Sequence, residues 1–313
     1  VFHPNQTKRS NRSTSALRIG IARTISSRGI IMALCLMSLS LTLGCAANPS
    51  PDPTAPRSGD AAYPNLLTDE NGERREAALA AWAAFTRDQG VVNAPPPELH
   101  PVTATVRSIP VLPQSSLYLP RIGDSAPMNE EEMREALRRF INYAGPLLCA
   151  EPQQLSLIER VDGADGVKEV RYQQRPFRYG LRGGFGELKI GFTSDRRITR
   201  ISSTCLPDTD RIRRSFVGLS QQRIPAEKVV ENLAGRSVTD TGANGQQQTF
   251  TFSGTDKVKT RDLVIYPIER TGEPPALEIH SAWEITLESA PGLTFYVDSI
   301  LGEVLGVVSG QPN

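Results

Sequence analysis

Apolar and polar positions along the chain follow two rhythms, and the order of those rhythms sets the expected architecture. Helical spacing runs from Glu73 to Asp88, "ERREAALAAWAAFTRD", with Leu79, Trp82 and Phe85 on one side and Gly90 as its stop. After the breaker "PPPELHP", residues alternate over "VTATVRSI". Val102, Ala104 and Val106 face opposite to Thr103, Thr105 and Arg107, which predicts a half-buried strand. Pro110, Pro113 and Pro120 keep the next stretch irregular. A second helix is predicted over "NEEEMREALRRFINYAG". Asn129 caps it, Glu132 completes the reciprocal pair, and Met133, Leu137, Phe140, Ile141 and Ala144 form its apolar stripe. Gly145-Pro146 ends it.

Strand-like runs follow at "QLSLIERV", "VKEVRYQQ", "FGELKIGF" and "RRITRISS", the first two joined by the turn-rich "DGADG". The order then repeats. "IPAEKVVENLAGR" predicts a helix stopped by Gly235, and strands are expected at "QTFTFSG", "DLVIYPI", "SAWEITLE", "LTFYVDS" and "EVLGVV". In the third of these, Trp283, Ile285 and Leu287 share one face while Glu284, Thr286 and Glu288 share the other. The expected class is α+β, with two successive modules, each a helix packed on an antiparallel β-meander. Their expected bounds are 127–210 and 211–313, preceded by a helix-plus-strand segment at 61–126 that is too small for a core of its own.

Composition divides the chain. Apolar residues make up 39% and charged residues 22% of 313, enough to build cores. The formal charge of +1 averages unlike parts: residues 1–44 hold six basic residues and no acid, and the remainder holds 29 basic and 34 acidic. After Arg28 comes the uncharged run "GIIMALCLMSLSLTLGC", whose 16 residues before Cys45 suit a signal sequence better than a membrane span. "LTLGC" resembles the lipobox of bacterial lipoproteins. That resemblance implies cleavage before Cys45, a diacylglycerol on its sulfur, and a place in the cell envelope, at the outer membrane where the cell has one. Residues 1–44 are thus read as a signal segment and 45–60, rich in Pro, Ser and Ala, as a tether.

Export bears on the cysteines. Cys35 leaves with the signal and Cys45 takes the lipid, so Cys149 and Cys205 remain as a candidate disulfide, with two buried thiols as the alternative.

The second module resembles a PepSY domain, as found in propeptides of thermolysin-like metallopeptidases and in some stand-alone envelope proteins. The residues are "DLVIYPI", "AWEITL" and "FYVDSILGEVL", in which Asp298 and Gly302 suit a hairpin turn. The first is similar to the fungalysin/thermolysin propeptide motif, on "VRYQQ" (Val170 to Gln174) and "FGELKIGF" (Phe185 to Phe192). The resemblance spans about residues 128–308 and implies a cystatin-like, non-catalytic module. Such a module binds a secreted or periplasmic peptidase domain, assisting its folding or masking its site. The chain ends soon after Val308, so in this reading it either has no enzyme to deliver or acts on one that is another polypeptide.

Nothing in the pattern supplies chemistry. There is no H-E-x-x-H and no G-x-S-x-G, and beyond the leader only His100 and His280 remain, each expected at the surface or half-buried. No catalytic residue, metal ligand or cofactor is expected. Between Asp165 and Arg214 lie 12 basic and 6 acidic residues, with Arg171, Arg175, Arg178 and Arg182 interleaved with Tyr172, Phe177 and Tyr179. Together with Arg196 and Arg197 they read either as a solvated basic face or as a candidate docking face for an acidic partner or an anionic envelope polymer; an exported lipoprotein gives no reason to expect nucleic acid. The leading expectation is a lipid-anchored, non-enzymatic binding protein that modulates a peptidase. The alternative is a scaffolding envelope lipoprotein without one.

Overall fold

The computed structural model describes residues 63–309 apart from 113–115, 124–127, 164–165, 176 and 242–246. All of them belong to one compact unit, Ser58–Asn313. Cys45, the leader and the tether lie outside the described residues. The N-terminal part forms β1 (Asn65–Thr68), α1 (Glu73–Asp88), β2 (Glu98–Leu99), β3 (Val106–Ser108) and β4 (Leu117–Tyr118). Next come α2 (Glu130–Tyr143), α3 (Gly145–Leu148), β5 (Leu155–Asp162), β6 (Val167–Gln174), β7 (Gly180–Leu181), β8 (Glu187–Thr193) and β9 (Arg197–Ser203). The last part holds α4 (Thr209–Gly218), α5 (Ala226–Asn232), β10 (Ser237–Thr241) and β11 (Gln247–Thr251). It ends with β12 (Val258–Arg270), β13 (Ala276–Leu287), β14 (Leu293–Asp298) and β15 (Val304–Ser309). Helices and antiparallel sheets are mixed, an α+β fold.

Two sheets organise the unit. One has the order β4–β9–β8–β6–β5, antiparallel throughout. Helix α2 is set by its capping box, with the Asn129 side chain accepting from Glu132 N–H and the Glu132 side chain from Asn129 N–H. Its buried stripe of Met133, Leu137, Phe140 and Ile141 shares a core with Val170, Leu188, Ile190, Phe192 and Ile201 of this sheet. Trp82 and Phe85 of α1 enter the same core, so the N-terminal segment has no separate interior. Truncating a side chain such as Phe140 there typically costs about 3–5 kcal/mol.

The other sheet runs β15–β14–β13–β12–β7, with β1 added alongside β13. Its length comes from β12 and β13, which pair over most of their extent. β1 pairs antiparallel with the first part of β13 (Asn65↔Ile279), and β14 pairs with the second part (Ile285↔Phe295). Val229, Val230 and Leu233, in and just after α5, bury against Ile285, Phe295 and Val297. β7 pairs parallel with β12, through Gly180↔Val264 and Leu181↔Ile265. It is contributed by the stretch expected to form the other module, so that stretch supplies strands to both sheets.

Local departures from the expected pattern have physical reasons. "VTATVRSI" is not one strand: only Val106–Ser108 is extended against β2. His100 explains it. Its Nδ1 accepts from the N–H groups of Val102 and Thr103, its carbonyl accepts from Ala104 N–H, and Ala104 takes φ of 56°. A turn satisfied by a buried imidazole displaces the ladder. Helix α4 has no counterpart in the expected elements. Ile212 and Phe216 bury beside Leu67, Ile265 and Ile279, and the intervening arginines conceal that stripe in the sequence.

Candidate functional site

The six arginines of the expected docking face do not form one face. Arg196 and Arg197 sit at the β8–β9 turn, where Arg196 donates to the carbonyl of Leu119 at 3.1 Å. That turn lies at the Val167 end of the sheet, roughly 20 Å along the strands from the Gln174 end at about 3.3 Å per residue. The other four arginines surround a groove of about 840 Å³ at the Gln174 end. Arg171 is committed there, bridging Glu187 at 2.6 Å and also Glu159. Arg182 forks onto Glu284 of β13, which is itself only 7% exposed. Arg175 and Arg178 are exposed, and their side chains make no hydrogen bond or ion pair among the described residues.

The chain between β6 and β8 is held firmly. Gln174 N–H donates to the carbonyl of Gly186, Arg175 N–H to that of Gln154, and Arg182 N–H to that of Ile265. The Gln174 amide donates to Leu206 carbonyl at 3.0 Å and accepts from Leu206 N–H at 2.8 Å. Phe177 and Leu181 turn inward to join Leu206, Ile212 and Phe216. Gly186 has φ of 84°, and a Cβ there would stand 2.7 Å from Leu181 Cδ1 and 2.8 Å from Gln173 Nε2. The glycines of "GLRGGFG" thus allow a tight return that presses β7 onto β12. Arg223 lies over the Tyr179 ring, 5.4 Å from its centroid, and fixes the outer wall.

Opposite this loop the groove is lined by Ile158 and Glu159 of β5. β5 is the edge of its sheet. Leu157, Ile158 and Val161 are each 45–49% exposed, and the register shifts between Leu157 and Glu159, which leaves Ile158 as a bulge turned to the groove.

A second polar cluster is buried. Asp298 accepts from the Tyr63 hydroxyl at 2.8 and 2.9 Å and contacts His280 Nδ1 at 2.7 Å. It also accepts from the N–H groups of Ile300 at 2.7 Å and Leu301 at 2.9 Å. Tyr63 accepts in turn from Ser281 N–H, and the Ser299 hydroxyl donates to that of Ser281. Burial alone raises the pKa of Asp298. The bonds from His280, Leu301, Ile300 and Tyr63 outweigh it and hold the carboxyl below the ordinary value. Nε2 of His280 lies 3.5 Å from Glu278 Oε2 and makes no hydrogen bond among the described residues. The arrangement closes a hairpin and clamps Tyr63 onto it.

Both histidines, expected at the surface or half-buried, are 4% exposed. His100 Nε2 lies 3.1 Å from Glu269 Oε1. Cys149 and Cys205 are thiols in this structure, and burial pushes the pKa of each to about 12. Among the described residues no group of three or more His, Cys, Asp and Glu could hold a metal ion, and no helix is long and apolar enough to cross a membrane. Sequence reasoning missed Tyr63, Glu284 and the β5 edge. The only signal was the apolar trio Leu157, Ile158 and Val161, which lacks strict alternation.

No protein-family profile matches the chain, and no curated protein does. Among solved structures, the Bacillus megaterium YpeB C-terminal domain is similar over 67% of this chain and 74% of its own. The identity is 12% and the TM-score 0.24, a weak likeness that carries no functional weight.

Proposed function

We propose that the protein is a non-catalytic binding module of the peptidase-propeptide type, held at a membrane of the cell envelope by lipid on Cys45. In this reading 127–210 and 211–313 are two successive helix-on-meander units, propeptide-like and then PepSY-like. Together they bind a separate exported peptidase and inhibit it or assist its folding.

The observation that carries the reading is where the propeptide-like motifs lie. "VRYQQ" and "FGELKIGF" fall on the paired strands β6 and β8 over the α2 stripe. "DLVIYPI", "AWEITL" and "FYVDSILGEVL" fall on β12, β13 and the β14–β15 hairpin, beside the buried face of α5. Two motif sets in propeptide order, each on neighbouring strands beside a helix, support a shared design. Arg175 and Arg178, exposed at a groove and without a side-chain hydrogen bond or ion pair among the described residues, suit docking. Titration of the purified protein against the exported thermolysin-like peptidases of the same cell tests the proposal. A stoichiometric complex supports it. Absence of a complex with any of them, together with recovery of wall or membrane-assembly proteins only, turns the reading to a scaffolding lipoprotein.

A further inference from the structure

We infer that Cys149 and Cys205 are a redox pair, in which Cys149 meets a disulfide oxidant at a surface cleft and Cys205 closes the bond behind it. The inference does not depend on a peptidase partner. By sequence the two thiols are either a disulfide or two separate buried groups. The fold brings their segments together and makes the two thiols unequal.

Cys149 caps α3 with φ of 49°, and Cys205 stands two residues past the end of β9. Ser203 joins these two places. Its hydroxyl donates to the Leu148 carbonyl at 2.7 Å and accepts from Cys205 N–H at 3.2 Å. The Leu148 oxygen and the Cys205 nitrogen are therefore no more than about 6 Å apart, the order of separation that a disulfide spans between Cα atoms. The Gln174 amide repeats the tie, donating to the carbonyls of Cys149 at 3.4 Å and Leu206 at 3.0 Å. Two independent side chains thus hold residues 148–149 against 205–206.

Access separates the pair. Cys149 is half-buried and lines a cleft of about 580 Å³ with Arg74, Asn142, Gln154, Leu206 and Asp208. Its Sγ lies 3.3 Å from the Thr103 carbonyl, a weak contact that bond formation gives up. Cys205 is 0% exposed and belongs to the core shared by α2 and the first sheet. A disulfide reagent such as glutathione disulfide therefore reaches Cys149 first. The Cys149 thiolate attacks one sulfur of the reagent, forming a mixed disulfide and releasing one glutathione thiol. The Cys205 thiolate then attacks the Cys149 sulfur and releases the second. Two protein thiols lose two electrons and two protons, and the reagent is reduced to two thiols. The new bond fastens α3, whose Leu147 and Leu148 bury in the first core, to the chain leaving β9 for α4. In α4, Ile212 and Phe216 bury with Leu206 beside the second sheet, so the bond locks the passage between the two cores.

The intact protein is incubated with glutathione disulfide at about pH 9, where more of each thiol is ionised, then alkylated and cut with trypsin without reduction. Mass spectrometry should find fragment 140–160, which carries Cys149, joined to fragment 201–211, which carries Cys205. The oxidised protein should melt several degrees higher, and dithiothreitol should reverse the shift. Cys205→Ser should instead hold one glutathione on fragment 140–160. Cys149→Ser should leave Cys205 unmodified over the same period, and serine at both positions should remove the response of the melting midpoint. The pairing is overturned if the joined fragment does not form in the parent chain, a result that stands even where serine in the core weakens the fold. Glutathione appearing on Cys205 of Cys149→Ser as fast as the joined fragment forms in the parent overturns the order of attack. A joined fragment without any change in midpoint overturns the lock.

Discussion

The Tyr63 hydroxyl donates to the Asp298 carboxylate at 2.8 Å across 235 residues of chain, tying the entry of the folded unit to its last hairpin. Burial, and then the charge of Asp298, raise the pKa of Tyr63, which keeps the phenol a donor. The same hydroxyl accepts from Ser281 N–H on β13. One side chain thus satisfies both a buried charge and a buried backbone donor, and β1 is held on β13 directly after it.

Tyr63→Phe should therefore destabilise the protein by about 1–3 kcal/mol, the usual cost of leaving buried polar groups short of a partner. Urea unfolding measures it. Asp298→Ala should cost more, since it also frees His280 and the N–H groups of Ile300 and Leu301.

Acid should test Asp298 separately. Its pKa in the fold is lowered, so the stabilisation it provides is present above the unfolded value of about 3.9 and lost as pH falls through the folded one. Urea midpoints followed below about pH 5 should fall less steeply for Asp298→Asn than for the parent.

His100 should behave as a neutral imidazole. Burial is the main cause of its lowered pKa, and Nδ1 must stay unprotonated to accept from Val102 and Thr103. The unfolded chain then takes up a proton at about pH 6.5 that the folded one refuses, so stability declines as pH falls through that value towards the folded one. His100→Gln should remove that part of the decline, and an NMR titration of the ring should give a midpoint below 6.5.

At Gly186, alanine should strain a left-handed backbone and press on Leu181 and Gln173. A loss of about 1–3 kcal/mol is expected, with β7 loosened from β12. Hydrogen exchange at Arg182 N–H, bonded to Ile265 carbonyl, reports the loosening directly.

How much of this is legible in the sequence depends on how local each signal is. α2 is legible because Asn129, Glu132 and a stripe at helical spacing lie within sixteen residues. The Asp298–Gly302 turn is legible for the same reason: Gly302 takes φ of 70°, and its N–H donates to Asp298 carbonyl. β7 is two residues long and exists only through β12, which lies some eighty positions later, so no period announces it. The arginines show the same limit. Their number is visible in the sequence, but only strand direction puts Arg196 and Arg197 at the far end, and only folding brings Glu284 to Arg182.

We propose that this chain binds a partner rather than catalysing a reaction. Calorimetry of the intact protein with an exported peptidase from the same cell, run beside an assay of that peptidase, tests it most directly. One-to-one binding that changes peptidase activity or its refolding yield, with no substrate turnover by the protein alone, is the predicted result. Turnover by the protein alone that is abolished by His280→Ala, in a variant that still folds, would contradict it.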